Sequence, residues 1–442
     1  MNDPFENALH FLNDVKNDLS TDDQPYLQRL QNPQNLVKGE IEVKMDDGST
    51  QKFKAYRSQH NDALGPYKGG IRFHQQVTES EVKALALWMA LKCSIAGIPY
   101  GGGKGGVEVD PSKLSATELE RLSRAYITFI ADHIGVDKDV PAPDVNTDGQ
   151  IMAWMLDEYE KIVGHHEPGV LTGKPLEIGG SEGRVKATGY GGYLALNMLR
   201  EHLQEKFPDN AGAWYHKPRN EVTIAVQGFG NVGYYFALTA AAQGYKVVAV
   251  SDSKGAIYVK EGLDPESTLQ CKEEHGSVVE CYCTDGVCRR DHSDGTKITN
   301  EELLQLDVDI LVPSALEGVI TAENADKIKA PVILELANGP VTSEADDILS
   351  KKDMMIIPDI FANSGGVTVS YLEWVQNRMG YYWKEHEVDE KLEEIMDKAF
   401  AAIWKKYWEL VEAQGSTTVR KATYVLAIER IIRAEKLRRS GE

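Results

Sequence analysis

The spacing of apolar positions divides the chain into stretches of different period. Near the N-terminus, Phe5, Leu9, Leu12 and Val15 predict a short amphipathic helix. In "LVKGEIEVKMDDGSTQKFKAYRSQH" apolar and polar residues alternate on both sides of Asp47-Gly48, which predicts strand, turn, strand. "VTESEVKALALWMALKCSIAG" switches to helical spacing through Val82, Leu85, Met89 and Ala96, with Thr78 and Glu81 at capping-box separation. Lys92 falls on that same apolar stripe, where a lysine must snorkel, pair or bind an anion. "SATELERLSRAYITFIADHIG" predicts another capped helix, stopped at Gly135. The prolines and aspartates of "DVPAPDVNTDG" predict an ordered loop, and "GGSEGRVKATGYGGYLALNML" predicts a helix entered through glycines.

From Glu221 the texture changes. "EVTIAVQ" reads as a buried strand, "GFGNVG" as a tight turn, "YYFALTAAAQG" as a helix and "YKVVAVSD" as a second buried strand. The short apolar runs in "VDILVPSA", "APVILELANG" and "MMIIPDIFANSGG" continue the series, and strands alternating with helices predict an α/β, doubly wound parallel sheet. The chain closes on a long amphipathic helix from Val388 to Ala413 and a last one through Tyr424, Ile428 and Ile431.

With 442 residues the chain is long enough for two or three domains. Its formal charge of −20 argues against nucleic acid or an acidic membrane as partner, because both need a basic face. A small anionic substrate requires instead that cations be concentrated locally. The N-terminus carries acids and no apolar core of a signal peptide, and no apolar run reaches spanning length, so a cytoplasmic protein is expected. Five cysteines do not suggest a disulfide framework. Cys281, Cys283 and Cys288 cluster in "ECYCTDGVCRRDHSDG", with Cys271 and His292 nearby, but C-x-C-x4-C lacks a second paired element. A polar surface insertion without metal is the expectation.

The chemistry begins at Gly228, Gly230 and Gly233, a G-x-G-x-x-G between a buried strand and a helix, which is the context of a dinucleotide turn. Asp252 ends the next strand, where a carboxylate meets a ribose 2′-hydroxyl; Lys254, two residues on, could attract a 2′-phosphate, so NAD and NADP both stay open. In "GIPYGGGKGG" Lys104 sits among glycines. A phosphate-binding loop would need glycine at Ile98 and Ser or Thr at Gly105, so that reading fails. Lys68 in "GPYKGG" is likewise followed by two glycines. Lys68, Lys92 and Lys104 in an acidic chain suggest a pocket for a substrate with more than one carboxylate. Clustering and burial would lower a lysine pKa toward acid/base use, with Asp144 in "VPAPDVNT" as proton-handling partner. Taken singly, each lysine also reads as a solvated loop charge and Asp144 as a loop-capping aspartate.

The stretches "GPYKGGIRFH", "GIPYGGGKGGV", "DVPAPDVNT", "ATGYGG", "VQGFGNVG", "LVPSALEGVI", "LELANGP" and "NSGGVTVSYLEWVQN", in this order over nearly the whole chain, resemble the shorter, hexameric glutamate dehydrogenases of the Glu/Leu/Phe/Val dehydrogenase family. The resemblance implies an α/β substrate-binding and oligomerisation domain over residues 1–186, joined by the C-terminal helix 415–442, and a Rossmann-type NAD(P)-binding domain over 187–414. It implies oxidative deamination of L-glutamate to 2-oxoglutarate and ammonium with NAD or NADP, in a cytoplasmic homohexamer. By motif position it makes Lys104 and Asp144 catalytic. Lys92 would hold the α-carboxylate, Lys68 and Ser370 the distal carboxylate, with Gly69 and Val367 beside them. Thr188, the turn Gly228, Phe229, Gly230, Asn231, Val232 and Gly233, then Asp252, Ser253, Asn338 and Asn363, would contact the cofactor. Closure of the two domains would exclude water. Relatives acting on leucine, valine or phenylalanine place apolar residues where Lys68 and Ser370 stand, which favours glutamate here; the intact motifs argue against an inactive nucleotide-binding regulator.

Overall fold

The computed structural model describes residues 3–284, 286–289, 295–352 and 354–439. The chain divides into two compact units. The first comprises Met1–Arg184, Val367–Lys391 and Tyr424–Glu442, and the second Val185–Gly366 and Leu392–Thr423. Against the expected boundaries, Val367–Lys391 belongs with the first unit. The last helix divides at Thr423/Tyr424 instead of joining the first unit whole.

In the first unit, five strands form one mixed sheet of order β1-β2-β4-β3-β5: β1 (Asn35–Lys44), β2 (Thr50–Asn61), β3 (Tyr67–His74), β4 (Gly102–Glu108) and β5 (Asp139–Pro143). The predicted Asp-Gly turn closes β1 on β2, with Lys44 opposite Thr50 and Gly48 at φ 87°. Helix Ala116–Ile130 starts on a complete Ser115/Glu118 capping box. Its face of Leu122, Tyr126, Ile127 and Ile130 shares a core with Ile41, Phe53, Ile71, Phe73 and Val107. Each such side chain contributes about 1.5–3 kcal/mol on burial.

Three expectations need correction here. "DVPAPDV" is not a loop at its start: Asp139–Pro143 is a strand, and Pro141 and Pro143 are tolerated because β5 is the sheet's edge, where half the N–H groups need no ladder partner. The glycine run "GGGKGGV" is also a strand rather than a loop, placed between β2 and β3 inside the sheet. Helix Glu79–Ala96 is capped by Thr78, but Glu81 turns its carboxylate to Arg72 instead of completing the box. Its stripe Leu85, Met89 and Lys92 is the half-exposed side, while Leu87, Ala90, Leu91 and Ile95 are buried.

The second unit carries a seven-stranded sheet of order β11-β8-β7-β6-β12-β13-β14, built from β6 (Thr223–Gln227), β7 (Lys246–Asp252), β8 (Gly255–Tyr258), β11 (Thr296–Ile298), β12 (Ile310–Pro313), β13 (Val332–Leu334) and β14 (Met355–Ile357). Strands β7, β6, β12, β13 and β14 run parallel, as the buried apolar runs predict, and β8 and β11 add an antiparallel edge. The strand order reverses between β6 and β12, which creates the crevice where such sheets take ligands. A small hairpin, β9 (Tyr282–Thr284) and β10 (Val287–Arg289), follows helix Pro265–His275. Here the cysteine expectation also changes. Cys271 pairs with Cys281 and Cys283 with Cys288. Cys281, Tyr282 and Cys283 are fully buried while Gly286, Val287 and Cys288 are exposed, so the segment is anchored in the unit at its start and reaches the surface beyond it. The sequence hides this because the fold brings the helix, its following turn and the hairpin onto one spot. His292 lies outside the described residues.

Candidate active site

In the first unit, β4 presents on one face Gly102, Lys104 and Gly106, followed at the strand's end by Glu108. A Cβ at Gly102 would lie 2.1 Å from the carbonyl oxygen of Ala86 and 2.5 Å from the amide of Ala90, so the helix Glu79–Ala96 packs directly on bare backbone. On the opposite face a Cβ at Gly105 would meet the Tyr126 hydroxyl at 2.1 Å. These glycines make room for a helix and a tyrosine of the same unit, and Lys104 is the one side chain left between two of them. It is 5% exposed.

Lys104 Nζ lies 2.8 Å from Asp144 Oδ2, immediately after β5. Arg72 on β3 donates from Nε to the same oxygen at 2.9 Å and from an Nη to Glu81. Lys68, Gly70 and Arg72 share one face of β3 by strand alternation. Gly70 is needed between the two cations because its Cβ would meet the Asp144 Cβ at 2.7 Å. Burial pulls the Lys104 ammonium below the usual lysine range, against the attraction of Asp144 and with the help of the Arg72 cation. Burial works against ionised Asp144, but Lys104 and Arg72 hold its carboxyl well below the usual range. A buried, softened amine beside an ionised carboxylate is a pair that can pass protons.

Lys68 is 1% exposed and donates to Val140 O at 3.1 Å and Thr172 Oγ1 at 2.6 Å, both neutral. Burial pushes its pKa down to about 7, with Glu373 opposing. Next to it, the Cys93 thiol is pushed up to about 12 by burial and feels both Lys68 and Lys92, so these two cations flank one spot. Ser370 is buried on helix Gly365–Met379, one turn before Glu373, and Val367 is half-buried there. Gly69 on β3 allows β3 to approach β4, since a Cβ would sit 1.5 Å from Gly103 O.

Several residues of this site escaped the sequence reading. Arg72 was findable, standing two alternations after Lys68 in a strand-period motif. Arg57 and Asp139 form a wholly buried pair (Nε–Oδ2 2.9 Å, Nη2–Oδ1 2.5 Å), and Arg57 also donates to Gly69 O, which braces β3 beneath the lysines. Thr172, and the buried Lys174–Glu373 pair at 2.7 Å, join segments far apart in sequence, a contact that no local pattern announces.

In the second unit the glycine turn follows β6. Gly228 has φ 96° and its Cβ would collide with Ala315 after β12; a Cβ at Gly233 would lie 2.0 Å from Gly228 O. At Gly230, by contrast, a Cβ would meet open space, and the helix Asn231–Ala242 that follows has no side-chain N-cap. The uncapped helix end and the open cradle fit a pyrophosphate. A cavity of about 460 Å³ is lined by Phe229, Gly230, Asn231, Tyr234, Lys272 and Gly276. Asp252, at the end of β7, accepts from Lys254 N at 2.8 Å and Val278 N at 2.7 Å, while Lys254 Nζ donates to Gly276 O at 2.9 Å. Ser253 is exposed beside them, Val232 is half-buried in the helix's first turn, and Thr188 sits in the first turn of helix Ala187–Lys206. Asn363 donates to Asn338 Oδ1 at 3.0 Å. The cofactor set thus lies in the second unit and the lysine set in the first.

Family models extend this picture to relatives. Residues 33–161 match the Glu/Leu/Phe/Val dehydrogenase dimerisation domain, and residues 179–439 match the Glutamate/Leucine/Phenylalanine/Valine dehydrogenase domain. The chain is 47% identical over 436 residues to the glutamate dehydrogenase of Aeropyrum pernix (99% and 98% of the two chains). It is 49% identical over 414 residues to the NAD-specific glutamate dehydrogenase of Clostridioides difficile (92% of each). Among solved structures, the hetero-hexameric glutamate dehydrogenase of Thermus thermophilus superposes with a TM-score of 0.85 at 35% identity, covering 98% of this chain and 97% of that one. The chain belongs to the glutamate/leucine/phenylalanine/valine dehydrogenase family.

Proposed function

We propose that the protein is an NAD(P)-dependent glutamate dehydrogenase, acting in the cytoplasm as a homohexamer. The reaction converts L-glutamate, NAD(P)⁺ and water to 2-oxoglutarate, ammonium, NAD(P)H and a proton. The observation that carries the reading is the buried Lys104–Asp144 pair at 2.8 Å, with a second buried lysine, Lys68, on the adjacent strand. An amino acid with a carboxylate at each end supplies counter-charge to two lysines, Lys92 at the α-carboxylate and Lys68, with Ser370, at the distal one. A leucine side chain would leave Lys68 buried without an anion and would forgo the counter-charge that a distal carboxylate supplies. Thr188, the Gly228–Gly233 turn, Asp252, Ser253, Asn338 and Asn363 hold the dinucleotide, which when bound supplies the two-electron acceptor at the substrate's α-carbon.

The chain's own groups do the rest. Clamping at both carboxylates fixes the α-carbon and makes oxidation effectively unimolecular. Asp144 takes a proton from the substrate's amino nitrogen. After oxidation, Lys104 accepts a proton from the water that attacks the iminium carbon, and its ammonium then stabilises charge developing on that oxygen. Asp144 returns its proton to the nitrogen, and the C–N bond breaks as the C=O bond forms. The departing ammonia takes the hydroxyl proton to leave as ammonium, while the proton held by Lys104 is the one released to solvent. An amino-acid panel followed by nicotinamide absorbance tests the assignment: glutamate should be turned over fastest, and faster turnover of leucine would overturn it. Lys104→Ala should fold normally and lose about 10²–10⁴ in kcat, the usual share of one acid/base group. Full turnover in that variant would refute the mechanism.

A further inference from the structure

The four cysteines of the second unit come from three different local structures. Cys271 is on helix Pro265–His275, Cys281 follows the turn that starts at Gly276, and Cys283 and Cys288 stand directly opposite each other on β9 and β10. The Cys271 sulfur is bonded to that of Cys281 and lies within 4.8 Å of those of Cys283 and Cys288. A tetrahedral zinc site with Zn–S of about 2.3 Å places its sulfurs about 3.8 Å apart. Cys271, Cys283 and Cys288 already lie within 4.8 Å of one another, and Cys281, next to Cys271, has to swing toward that group to complete the set. Cys283-x4-Cys288 has zinc-ligand spacing, and the fold supplies the second pair that the linear sequence lacks. Cys271, Cys281 and Cys283 are buried and Cys288 is exposed, which leaves an entry side for a metal. His275 Nδ1 is 3.8 Å from the Cys271 sulfur but is engaged with Cys271 O at 2.9 Å, which favours an all-sulfur set.

We propose that Cys271, Cys281, Cys283 and Cys288, in their reduced form, bind one zinc ion as a tetrathiolate that fastens the wall of the cofactor cavity. Binding forms four Zn–S bonds and releases four thiol protons, with no change of oxidation state. The two disulfides are the metal-free, oxidised closure of the same four sulfurs, a form that a reducing compartment disfavours. The segment the metal would hold is the one that meets the glycine turn: Lys272 Nζ donates to Phe229 O at 2.6 Å, and Val278 N to the Asp252 carboxylate at 2.7 Å. This fastening role rests on the cofactor reading of that turn, whereas the metal site itself does not.

The test uses the whole enzyme reduced with a phosphine and stripped with a chelator under argon, its free thiols counted by alkylation and mass spectrometry. Added Co²⁺ should bind one per chain with sulfur-to-cobalt charge-transfer absorption and the visible bands of tetrahedral cobalt, and Zn²⁺ should displace it. The Cys283→Ser/Cys288→Ser chain should lose those bands. Absence of the bands in wild-type protein with all four thiols free, or their retention in the variant, overturns the site. Calorimetric titration with NAD should give a Kd several-fold higher without metal than with zinc. An unchanged Kd overturns the fastening role, and absence of binding of both NAD and NADP in either form refutes instead the cofactor reading on which it rests.

Discussion

At the scale of single residues, the proposed function makes Lys68 and Asp252 the residues that choose substrate and cofactor. Lys68 has its pKa lowered by burial from the ordinary 10.5 to about 7, so in the empty site it is half neutral near pH 7. Between about 7 and 10.5 the unfolded chain binds more protons here than the folded one, so this group's contribution to stability rises with pH through that window. Dicarboxylate binding runs the other way, since it needs the ammonium. The Kd for 2-oxoglutarate should therefore increase above pH 7, by up to about tenfold per pH unit for one required proton. Calorimetry across neutral to alkaline pH should show this slope in wild type, and weak, flat binding in Lys68→Met. Asp252 makes the second choice. On the proposed cofactor reading its carboxylate would meet a 2′-phosphate with like charge, and Lys254, the nearby cation, donates to Gly276 O. We expect kcat/KM to favour NAD over NADP, and Asp252→Ser to narrow the ratio; initial rates with each dinucleotide check both.

At the scale of elements, the glycines separate structural from ligand-facing roles. Gly233→Ala puts a methyl 2.0 Å from Gly228 O, whereas Gly230→Ala puts one into open space at φ −88°, which alanine adopts without strain. Urea unfolding should show Gly233→Ala destabilised by about 1–3 kcal/mol, the range for overpacking, or failing to fold. Gly230→Ala should unfold like wild type yet bind dinucleotide more weakly. A stability loss in Gly230→Ala would contradict the open cradle. The same contrast explains what was legible in the sequence. The G-x-G-x-x-G turn, the β1–β2 hairpin and the strands of the parallel sheet declare themselves because their signals are local: a turn residue, a period, a buried run. The strand Gly102–Glu108 does not, because a side-chain pattern cannot be read where side chains are missing; what makes it a strand is the tight approach of helix Glu79–Ala96 and of Tyr126. Asp139–Pro143 was hidden by prolines that only an edge position tolerates. The lysines and Asp144 were visible as residue types, and the resemblance assigned their roles. Arg57–Asp139 and Lys174–Glu373, which brace them, join residues 82 and 199 positions apart and leave no local trace.

At the scale of the whole molecule, the charge balance sets the conditions of assembly. No helix among the described residues is long and apolar enough to cross a membrane. Each chain carries a formal −20, while Lys68, Arg57 and Lys104 are withdrawn into the first unit and contribute little to its outer field. Six such chains brought together repel one another at long range. That repulsion is screened over about 30 Å at 0.01 M salt and about 8 Å at 0.15 M, whereas apolar contacts between chains are insensitive to the difference. The proposed hexamer should therefore be held less tightly at low ionic strength. Sedimentation velocity on dilute protein should show a species of about six times the 49.0 kDa chain near physiological salt. Smaller species should appear as salt is lowered. Assembly that weakens on adding salt would mean instead that complementary charges across the interfaces outweigh the net repulsion, and a single-chain mass throughout would remove the hexamer from the proposal.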